Sequence, residues 1–447
     1  MAGRLALGVE VAVAFTVVMF TSARESAIVP QSSKTFPSWM AGPLHGVFGG
    51  LTNNTSTLNL LFTLALLVTL VAYAVVLASA RTLSMRTIWI AAVALAAIML
   101  MGPPLLLTDI FNYLGYARLG ALHHLNPYRH VIGAISHDPV YTLSTWRNYH
   151  SPYGELFTAL TYTFGWLPLG VAYWILKVIT VLAALGFLWL VSVCARRLGR
   201  DPRVAVALVA FNPLFVIYAI GGFHNDFFML LPATAAIALL LGGRDRAAGA
   251  ALMLAVGVKY TAILLLPFML LGVPASDRRL RIVQGVVLAA IPLVVGSLLL
   301  FGFSLANVSD QARILTNFSI PQVVGLLFGF GGATSALLTV ADALVVAAVV
   351  YLLWRRHDWL SGAGWATLAL IASLSWLMPW YVLWALPLAA LATSVRLRTA
   401  TLALTVFLVL TFVPNLWVYM EHHHINPLRS PYGRAALALQ KNLERNP

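Results

Sequence analysis

Two carboxylates stand where an apolar segment gives way to aromatic and polar residues, and such a carboxylate can act as a general base. Asp109 follows a long apolar run, and Asp226 closes the sequence Gly-Gly-Phe-His-Asn-Asp. A carboxylate at this position can accept a proton from an attacking hydroxyl group. If Asp109 begins a short helix, Tyr113 shares its face, because residues three or four apart are neighbours on a helix. Backbone requirements explain the Gly and Asn of a tight turn, but they explain His224 less well.

Three cations stand in unusual places. Lys259 lies in the middle of an apolar run, too far from a helix end to carry its ammonium to the membrane surface easily. A buried ammonium needs an anion, which is either a lipid phosphate or a structural carboxylate. Arg118 and Arg147 follow Asp109 in a long polar segment, where they either clamp a phosphate or pair with Asp138 or Glu155.

Aromatic residues and histidines near the C-terminus give weaker signals. Trp380, Tyr381 and Trp384 lie at a predicted span end, where most such residues form the interfacial belt and a few stack on a sugar. The three adjacent histidines at 422–424 do not face one another on a helix. Their spacing is poor for a single ion, so we expect no metal site.

The elements that position these residues are transmembrane helices. The chain has 447 residues, of which 60% are hydrophobic and 9% charged, whereas a soluble protein has about a quarter of its residues charged. The single cysteine excludes an intrachain disulfide, and the scattered basic residues do not form a nucleic-acid-binding patch. Apolar runs of membrane-spanning length predict about eleven spans, at 5–22, 57–80, 87–107, 168–195, 203–220, 227–243, 283–303, 332–354, 362–377, 380–394 and 399–419.

Arginine distribution decides the role of a twelfth apolar segment, 248–272. Gly257, Lys259 and Pro267 are weak points in it, so we expect two half-helices that return to the side from which they start. With the N-terminus inside, this arrangement places six basic clusters in the cytoplasm, as the positive-inside rule requires. The clusters lie at residues 81–86, 196–203, 244–246, 278–281, 355–356 and 396–398.

The same topology predicts the large outer segments. They are residues 22–56, 108–167 and 304–331 and the tail from residue 420. We expect one integral membrane domain over residues 1–447, with short helices in the outer loop 108–167. The sequences His-His-Leu-Asn-Pro at 123–127 and Ser-Pro-Tyr-Gly at 151–154 have echoes in the tail, at 423–427 and 430–433, so the tail is a candidate to pack near that loop.

An ordered set of motifs across residues 100–390 resembles the GT-C glycosyltransferases. The similarity is greatest to the actinobacterial polyprenyl-phosphate-mannose-dependent α-mannosyltransferases. The chain departs from their pattern at Glu155, where Pro is expected, and in its short tail. The matching pieces are Asp109-Ile-Phe-Asn-Tyr113, Ala117-Arg118, Asn126-Pro127-Tyr128, Ser151-Pro152-Tyr153-Gly154, Gly221-Gly222-Phe223-His224-Asn225-Asp226, Val258-Lys259-Tyr260 with Leu266-Pro267, and Met378-Pro379-Trp380-Tyr381-Val382-Leu383-Trp384.

The resemblance implies inverting transfer of a mannosyl residue from polyprenyl-phosphate-mannose to a glycolipid or lipoglycan acceptor. It implies a multi-pass protein of the plasma membrane with its active site on the extracytoplasmic side, no cofactor or metal, and Asp109 as the catalytic base. The carrier chain is expected in a lipid-facing groove near the broken segment. The expected substrate-binding residues are Tyr113, Arg118, Asn126, Tyr128, Arg147, Tyr153, His224, Asn225, Asp226, Lys259, Trp380 and Tyr381.

Other functions stay open at this point. A transporter or flippase for a polyprenyl-linked sugar shares the membrane architecture, but such proteins tend to show inverted repeats and charged residues near the midplane. Here the candidate charges gather at the outer boundary, and the spans show no clear repeat. An acyltransferase would need an activated nucleophile, and none stands out. The same transferase chemistry with arabinose or glucose is also open, and so is the oligomeric state.

Overall fold

The computed structural model describes residues 1–23, 26, 28–29, 36–47, 54–106, 108–306, 308–355 and 358–444. Every regular element in these ranges is helical, which confirms the predicted all-α class. Five helices are long and apolar enough to cross a membrane, and two bent pairs raise that number to seven. The other predicted spans form shorter apolar helices, so the total of eleven stays a prediction.

The N-terminal half of the chain contains the long helices and the short helices of the loop 108–167. The α-helices are α1 (Ala2–Ala23), α2 (Ser38–Ala41), α3 (Thr55–Ser79), α4 (Met85–Met101), α5 (Asp109–Ala121), α6 (Val140–Leu143), α7 (Glu155–Gly165), α8 (Leu169–Arg197), α9 (Pro202–Ala210) and α10 (Asp226–Leu241). Tighter or wider turns lie at Ala80–Thr82, Ile132–Ile135 and Leu214–Ile220.

The C-terminal half continues the bundle with more interrupted helices. They are α11 (Asp245–Val258), α12 (Leu265–Leu271), α13 (Ser276–Phe301), α14 (Ile320–Leu327), α15 (Ser335–Arg355), α16 (Trp359–Ser373), α17 (Leu386–Leu391), α18 (Val395–Thr411), α19 (Pro414–His422) and α20 (Pro431–Glu444), with short 3₁₀ turns at Tyr260–Leu264 and Pro379–Trp384.

The segment 248–272 is broken where the sequence predicted. Helix α11 ends at Val258, and the backbone of Lys259 is extended, with φ −151° and ψ 118°. The chain then turns back through Tyr260–Leu264 and α12. Arg278, just after α12, pairs with Asp245 at the start of α11 at 2.7 Å. The two ends of the segment therefore meet at one end of the bundle, as expected for a re-entrant pair.

A second interruption carries the turn 221–226 to the other end of the bundle. Helix α9 and the segment Leu214–Ile220 are bent by 52° at Asn212-Pro213, where proline cannot donate a helical hydrogen bond. The Asn212 side chain stabilises the break, since its Oδ1 accepts from the Leu214 N–H at 3.0 Å and its Nδ2 donates to Thr405 at 3.0 Å. The continuous apolar core runs from α1 to α18 around these breaks.

Parts of the topology prediction lie outside the described residues. They are residue 107 of the span 87–107, residue 356 of the basic cluster 355–356, residues 24–25, 27, 30–35 and 48–53 of the outer segment 22–56, residue 307 of the outer segment 304–331 and residues 445–447 of the tail. The prediction of one domain over residues 1–447 stays a prediction.

Candidate active site

A pocket lies at the end of the bundle where α5, the turn 221–226, the break at Lys259 and the segment Pro379–Trp384 meet. Its wall combines two carboxylates and one lysine with many aromatic rings, an environment that suits a polar, ring-shaped ligand. The lining residues are Asp109, Tyr113, Tyr116, Trp146, Tyr149, Pro152, Tyr153, Asn225, Asp226, Lys259, Gln311, Ile314, Trp376, Met378, Trp380 and Tyr381.

Asp109 is the accessible carboxylate of the pocket. It occupies the first turn of α5, where the helix dipole favours a negative charge. Its side chain is 16% exposed, and its Oδ2 lies 3.2 Å from Nδ1 of the buried His224. The two atoms are within ion-pairing distance, although their geometry does not make a hydrogen bond. The His224 ring stacks on Trp380 with centroids 3.6 Å apart, which fixes the imidazole beside Asp109.

Asp226 is the second carboxylate of the pocket, and one of its oxygens accepts two hydrogen bonds. It is buried in the first turn of α10. Its Oδ1 accepts from Lys259 Nζ at 2.7 Å and from Trp384 Nε1 at 2.5 Å. The ammonium also lies 5.3 Å from the Tyr381 ring centroid and 5.0 Å from that of Trp384. The sequence left a lipid phosphate and a carboxylate open as partners of Lys259. The structure pairs Lys259 with the carboxylate of Asp226.

The loop 108–167 holds the helix break in place. The Gly154 N–H donates to the Val258 carbonyl at 3.1 Å. A Cβ on Gly154 would lie 2.3 Å from the carbonyl oxygen of Gly257, so only glycine allows this approach. Lys259, the next residue after Val258, points into the pocket because its helix has ended there.

Tyr113, Tyr153 and Asn225, three of the expected substrate-binding residues, line the pocket. The Asn225 N–H donates to the Tyr113 hydroxyl at 3.2 Å, so α5 is tied to the turn 221–226. The rings of Tyr113 and Tyr153 meet edge to face at 4.8 Å. Burial raises the pKa of both phenols, followed by the effect of the Asp109 carboxylate. Both hydroxyls are therefore neutral donors at physiological pH.

The structure does not bring Arg118 or Arg147 to the pocket. Arg118 is buried and pairs with Asp138 at 2.9 Å, and it also donates to the Leu167 carbonyl at 2.9 Å. Arg147 donates to the carbonyls of Tyr141 and Ser144. Both guanidinium groups therefore hold the loop 108–167 together instead of facing a ligand.

Asn126 and Tyr128 also lie outside the lining of the pocket. Asn126 Nδ2 donates to the Phe301 carbonyl at 2.7 Å, which anchors the loop 108–167 to the end of α13. The Tyr128 hydroxyl bonds to Thr158 at 2.9 Å and to the Tyr153 carbonyl at 3.0 Å. Tyr128 acts on the site through Tyr153, whose position it fixes.

Two residues at the site were not among the expected substrate-binding residues. Trp384 was left open between the interfacial belt and sugar stacking, and its indole donates to Asp226. The sequence feature that could have identified Trp384 is its position four residues after Trp380 in the same motif, which places the two tryptophans close together. Gln311 comes from a separate segment and donates to the Tyr381 hydroxyl at 3.2 Å. No motif in the sequence marks Gln311.

An apolar groove of about 620 Å³ lies on the other side of the helix break. Its walls come from α7, α11 and α13 and from the residues that follow α13. Gly257 and Tyr260 belong to the groove, and Lys259 between them belongs to the pocket. At the boundary the Tyr260 hydroxyl donates to Glu155 at 2.5 Å. The groove and the pocket thus lie next to each other at the broken helix.

Among the residues that the structure describes, no cluster of three or more His, Cys, Asp or Glu side chains could hold a metal ion.

The sequence of the chain matches known protein families and individual relatives. A family model described as alpha-(1->6)-mannopyranosyltransferase, N-terminal domain, matches residues 9–275, and one described as MptB C-terminal domain matches residues 316–420. The chain is 28% identical to alpha-(1->6)-mannopyranosyltransferase A of Mycobacterium tuberculosis, over 71% of this chain and 67% of that protein. No solved structure matches the chain.

Two further relatives carry similar names. A probable alpha-(1->6)-mannopyranosyltransferase of Mycolicibacterium smegmatis is 27% identical over 69% of this chain and 65% of its own length. Alpha-(1->6)-mannopyranosyltransferase B of Corynebacterium glutamicum is 26% identical over 70% of this chain and 59% of its own length. The match thus spans about two thirds or less of the length of these relatives.

Proposed function

Because the chain belongs to the alpha-(1->6)-mannopyranosyltransferase family, we propose that it transfers a mannosyl residue from polyprenyl-phosphate-mannose to a hydroxyl group of a glycolipid or lipoglycan acceptor. The protein is then a GT-C transferase of the plasma membrane. The observation that carries the proposal is a single pocket in which an accessible carboxylate, Asp109, and an ammonium, Lys259, lie beside aromatic rings and next to an apolar groove.

Asp109 is the general base in this proposal. The pocket has two carboxylates, and Asp226 is buried and bonded to Lys259 and Trp384. Asp109 retains an exposed side chain and faces the pocket. A base must reach the proton that it abstracts, so the accessible carboxylate fits this role.

The reaction is a substitution at the anomeric carbon. The acceptor oxygen forms the new glycosidic bond while the bond from the anomeric carbon to the phosphate oxygen breaks, with both electrons leaving on polyprenyl phosphate. The acceptor proton goes to Asp109. Phosphate leaves without protonation, so one carboxylate suffices, whereas glycoside hydrolysis usually needs two. In-line attack on a β-linked donor inverts the carbon and gives an α-mannoside.

Lys259 is the group that stabilises the leaving phosphate. Negative charge on the phosphate grows in the transition state, and a fixed cation at that point lowers the barrier. Lys259 lines the pocket, and its side chain is 20% exposed although it is paired with Asp226. The neighbouring groove is apolar and begins at Gly257 and Tyr260. A polyprenyl chain in that groove would place its phosphate next to Lys259.

The aromatic residues and Asn225 hold the sugar. Trp380, Tyr381, Tyr113 and Tyr153 all line the pocket. Ring faces suit the apolar C–H faces of a pyranose, and neutral phenols donate to its hydroxyl groups. His224 orients Asp109 and is a further donor beside it.

Charge distribution supports the proposed orientation in the membrane. The re-entrant segment begins and ends among Asp245, Arg278 and Arg281, at the end of the bundle away from the pocket. The positive-inside rule assigns that end to the cytoplasm, and the pocket then faces the extracytoplasmic side.

The experiment is a transfer assay with purified protein, labelled polyprenyl-phosphate-mannose and an α-mannoside acceptor, run beside Asp109→Ala and with EDTA in a parallel sample. We expect label in the acceptor for the wild type, none for Asp109→Ala and no effect of EDTA. Parallel donors carrying arabinose or glucose test the sugar. Absence of transfer from every donor, with movement of the donor across proteoliposomes, would show a flippase instead.

A further inference from the structure

Lys177 is a fully buried lysine in the long apolar helix α8. This helix is one of the five that are long and apolar enough to cross a membrane. Among the described residues, no carboxylate lies within ion-pairing distance of the Lys177 ammonium. Burying an ammonium without a counter-ion is costly, and an ionisable residue inside a span is by default a candidate for a functional role.

The ammonium is held by one carbonyl group and three aromatic rings. Lys177 Nζ donates to the Gly102 carbonyl at 2.6 Å. Gly102 caps the C-terminus of α4, where the helix carbonyls carry partial negative charge. The ring centroids of Tyr173, Trp174 and Phe223 lie 4.9, 4.0 and 4.7 Å from Nζ, and the face of an aromatic ring attracts a cation. These contacts take the place of a counter-ion.

Two of the three rings are themselves fixed in place. Tyr173 and Trp174 lie four and three residues before Lys177, so all three side chains share one face of α8. The Tyr173 hydroxyl donates to the Met40 carbonyl at 3.0 Å, and the Trp174 indole N–H donates to the Trp39 carbonyl at 2.8 Å. The position of the ammonium is therefore set by α8 together with α2.

The third ring connects the ammonium to the turn 221–226. Phe223 is fully buried, and its backbone φ of 54° lies in the left-handed region that residues other than glycine rarely occupy. Such a backbone persists only where the surrounding structure holds it. Phe223 directly precedes His224, whose Nδ1 lies 3.2 Å from Asp109 Oδ2. The ring contact with Lys177 is therefore made one residue away from the imidazole that stands beside the proposed base.

The carbonyl contact leads to the same pair from the other segment. Gly102 begins the connection between α4 and α5, and Asp109 is the first residue of α5. Within this connection the Leu105 N–H donates to the Gly221 carbonyl at 2.9 Å. The connection and the turn 221–226 thus meet directly, and Lys177 bridges the same two segments from α8.

We propose that Lys177 is a positioning residue for the transfer reaction. Its ammonium holds the connection between α4 and α5 against the turn 221–226 and so keeps His224 beside Asp109. This inference rests on the proposed transferase function. Lys177 does not line the pocket, so it acts through these two segments and not by contact with a substrate. Loss of such a residue misplaces the reacting groups and lowers the rate of the chemical step more than it weakens substrate binding.

Lys177→Met tests the role of the charge, because methionine keeps a flexible apolar stem and lacks the ammonium. We expect kcat to fall by at least about tenfold, with the KM values for donor and acceptor changed by less than about twofold. Thr180→Val is the matched control. Thr180 is also fully buried in α8, but its hydroxyl donates to the Leu176 carbonyl of the same helix at 2.7 Å, so this variant should keep the wild-type kcat. A folded Lys177→Met protein with an unchanged kcat would overturn the inference.

A double-mutant cycle separates positioning from general destabilisation. His224→Ala already removes the group that Lys177 is proposed to position. In the His224→Ala background, the further loss of kcat caused by Lys177→Met should therefore shrink to less than about twofold, since changes that act through one group are not additive. A loss of the same size in both backgrounds would show that Lys177 only stabilises the fold.

The position of His224 can also be followed without any transfer. Diethyl pyrocarbonate modifies accessible imidazoles, and His224 is buried in the wild type. Well below the unfolding temperature of each protein, mass spectrometry should show faster modification of His224 in Lys177→Met than in the wild type or Thr180→Val. Equal modification rates in the three proteins would contradict the proposed role of Lys177.

Phe223→Leu replaces Lys177→Met in all three measurements if the latter does not fold, because it removes the ring that the ammonium contacts and keeps an apolar side chain. The same losses are expected, and their absence would count equally against the inference. Failure of the wild type to transfer from any donor would remove the proposed function instead, and the modification rates would still test whether Lys177 positions His224.

Discussion

Lys259 Nζ lies 2.7 Å from Asp226 Oδ1, so the break in the re-entrant helix delivers its ammonium to the first turn of α10. The pair stands between the pocket and the apolar groove. It joins the segment expected to hold the donor lipid to the turn that also carries His224 and Asn225, and His224 in turn lies beside Asp109, the proposed base.

Removing the charge of Lys259 alone should damage both folding and activity. Lys259→Gln leaves the buried Asp226 carboxylate without its cation, and breaking a buried pair in this way costs about 3–5 kcal/mol. Lys259→Gln with Asp226→Asn removes both charges and should regain most of that stability while transfer stays at least about a hundredfold low. Thermal unfolding and transfer assays in the same detergent separate the two effects. Full activity of the double variant would show that Lys259 has only a structural role.

The stacking of Trp380 on His224 should matter for turnover more than for folding. Trp380→Ala removes the ring that holds His224 at 3.6 Å, and an aromatic pair of this kind contributes about 0.5–1.5 kcal/mol. We expect kcat/KM to fall by about tenfold. Trp380→Phe keeps a ring at the same place and should retain most activity. Equal losses in the two variants would indicate that the indole nitrogen, and not the stacked ring, is required.

Gly154→Ala should separate the loop 108–167 from the helix break. The added Cβ would lie 2.3 Å from the Gly257 carbonyl oxygen and 2.7 Å from that of Val258. Both atoms belong to backbone, so they cannot give way as a flexible side chain would. We expect a lower unfolding temperature and a large loss of transfer. Gly8→Ala is the control, because nothing lies within 4 Å of its Cβ position, and it should behave like the wild type.

Asp138 should make the stability of the loop 108–167 depend on pH in acid. Burial alone would raise the pKa of Asp138, but hydrogen bonds from Arg118, His123 and the Val140 N–H hold that pKa below its usual value. A carboxyl whose pKa is lower in the folded state stabilises the protein above its unfolded pKa of about 3.9 and loses that contribution as the pH falls through the folded value.

Thermal unfolding measured between about pH 6 and pH 3 checks this dependence. The wild type should lose stability toward the acid end of the range. Asp138→Asn should be less stable at pH 6, because the buried Arg118 loses its anion, and should show a smaller further loss in acid. If the unfolding temperature of both proteins fell equally with pH, the acid sensitivity would not arise from Asp138.

Patterns of single segments were enough to predict much of the fold. Gly257, Lys259 and the arginines predicted a broken segment that returns to its starting side, and the ion pair of Asp245 with Arg278 bears this out. This prediction succeeded because charge placement at span ends is a local property of the sequence. The bend at Asn212-Pro213 was not predicted, since the same residues are compatible with a kinked continuous span.

The composition of the candidate site was only partly predictable. Asp109, Tyr113, Asp226 and Lys259 stand out because polar groups are rare in an apolar chain, and the structure brings them together. The orientation of Arg118 was not predictable, since a guanidinium in a loop fits a phosphate and a carboxylate equally well.

Contacts between distant segments were predicted only in outline. The repeated short sequences placed the tail near the loop 108–167, and α20 does contact that loop through Asn148. They gave no indication that the same helix also packs against Ile314 and Trp376, because that depends on where further segments converge.

The most direct test of the account is the transfer rate of Asp109→Asn against that of Asp226→Glu and the wild type, with labelled polyprenyl-phosphate-mannose and a short mannoside. Asn has nearly the shape of Asp but cannot accept the acceptor proton, so the account predicts a loss of at least about a hundredfold in kcat, with unchanged donor binding and unfolding temperature. A folded Asp109→Asn protein that transfers mannose at the wild-type rate would contradict the assignment of Asp109 as the base.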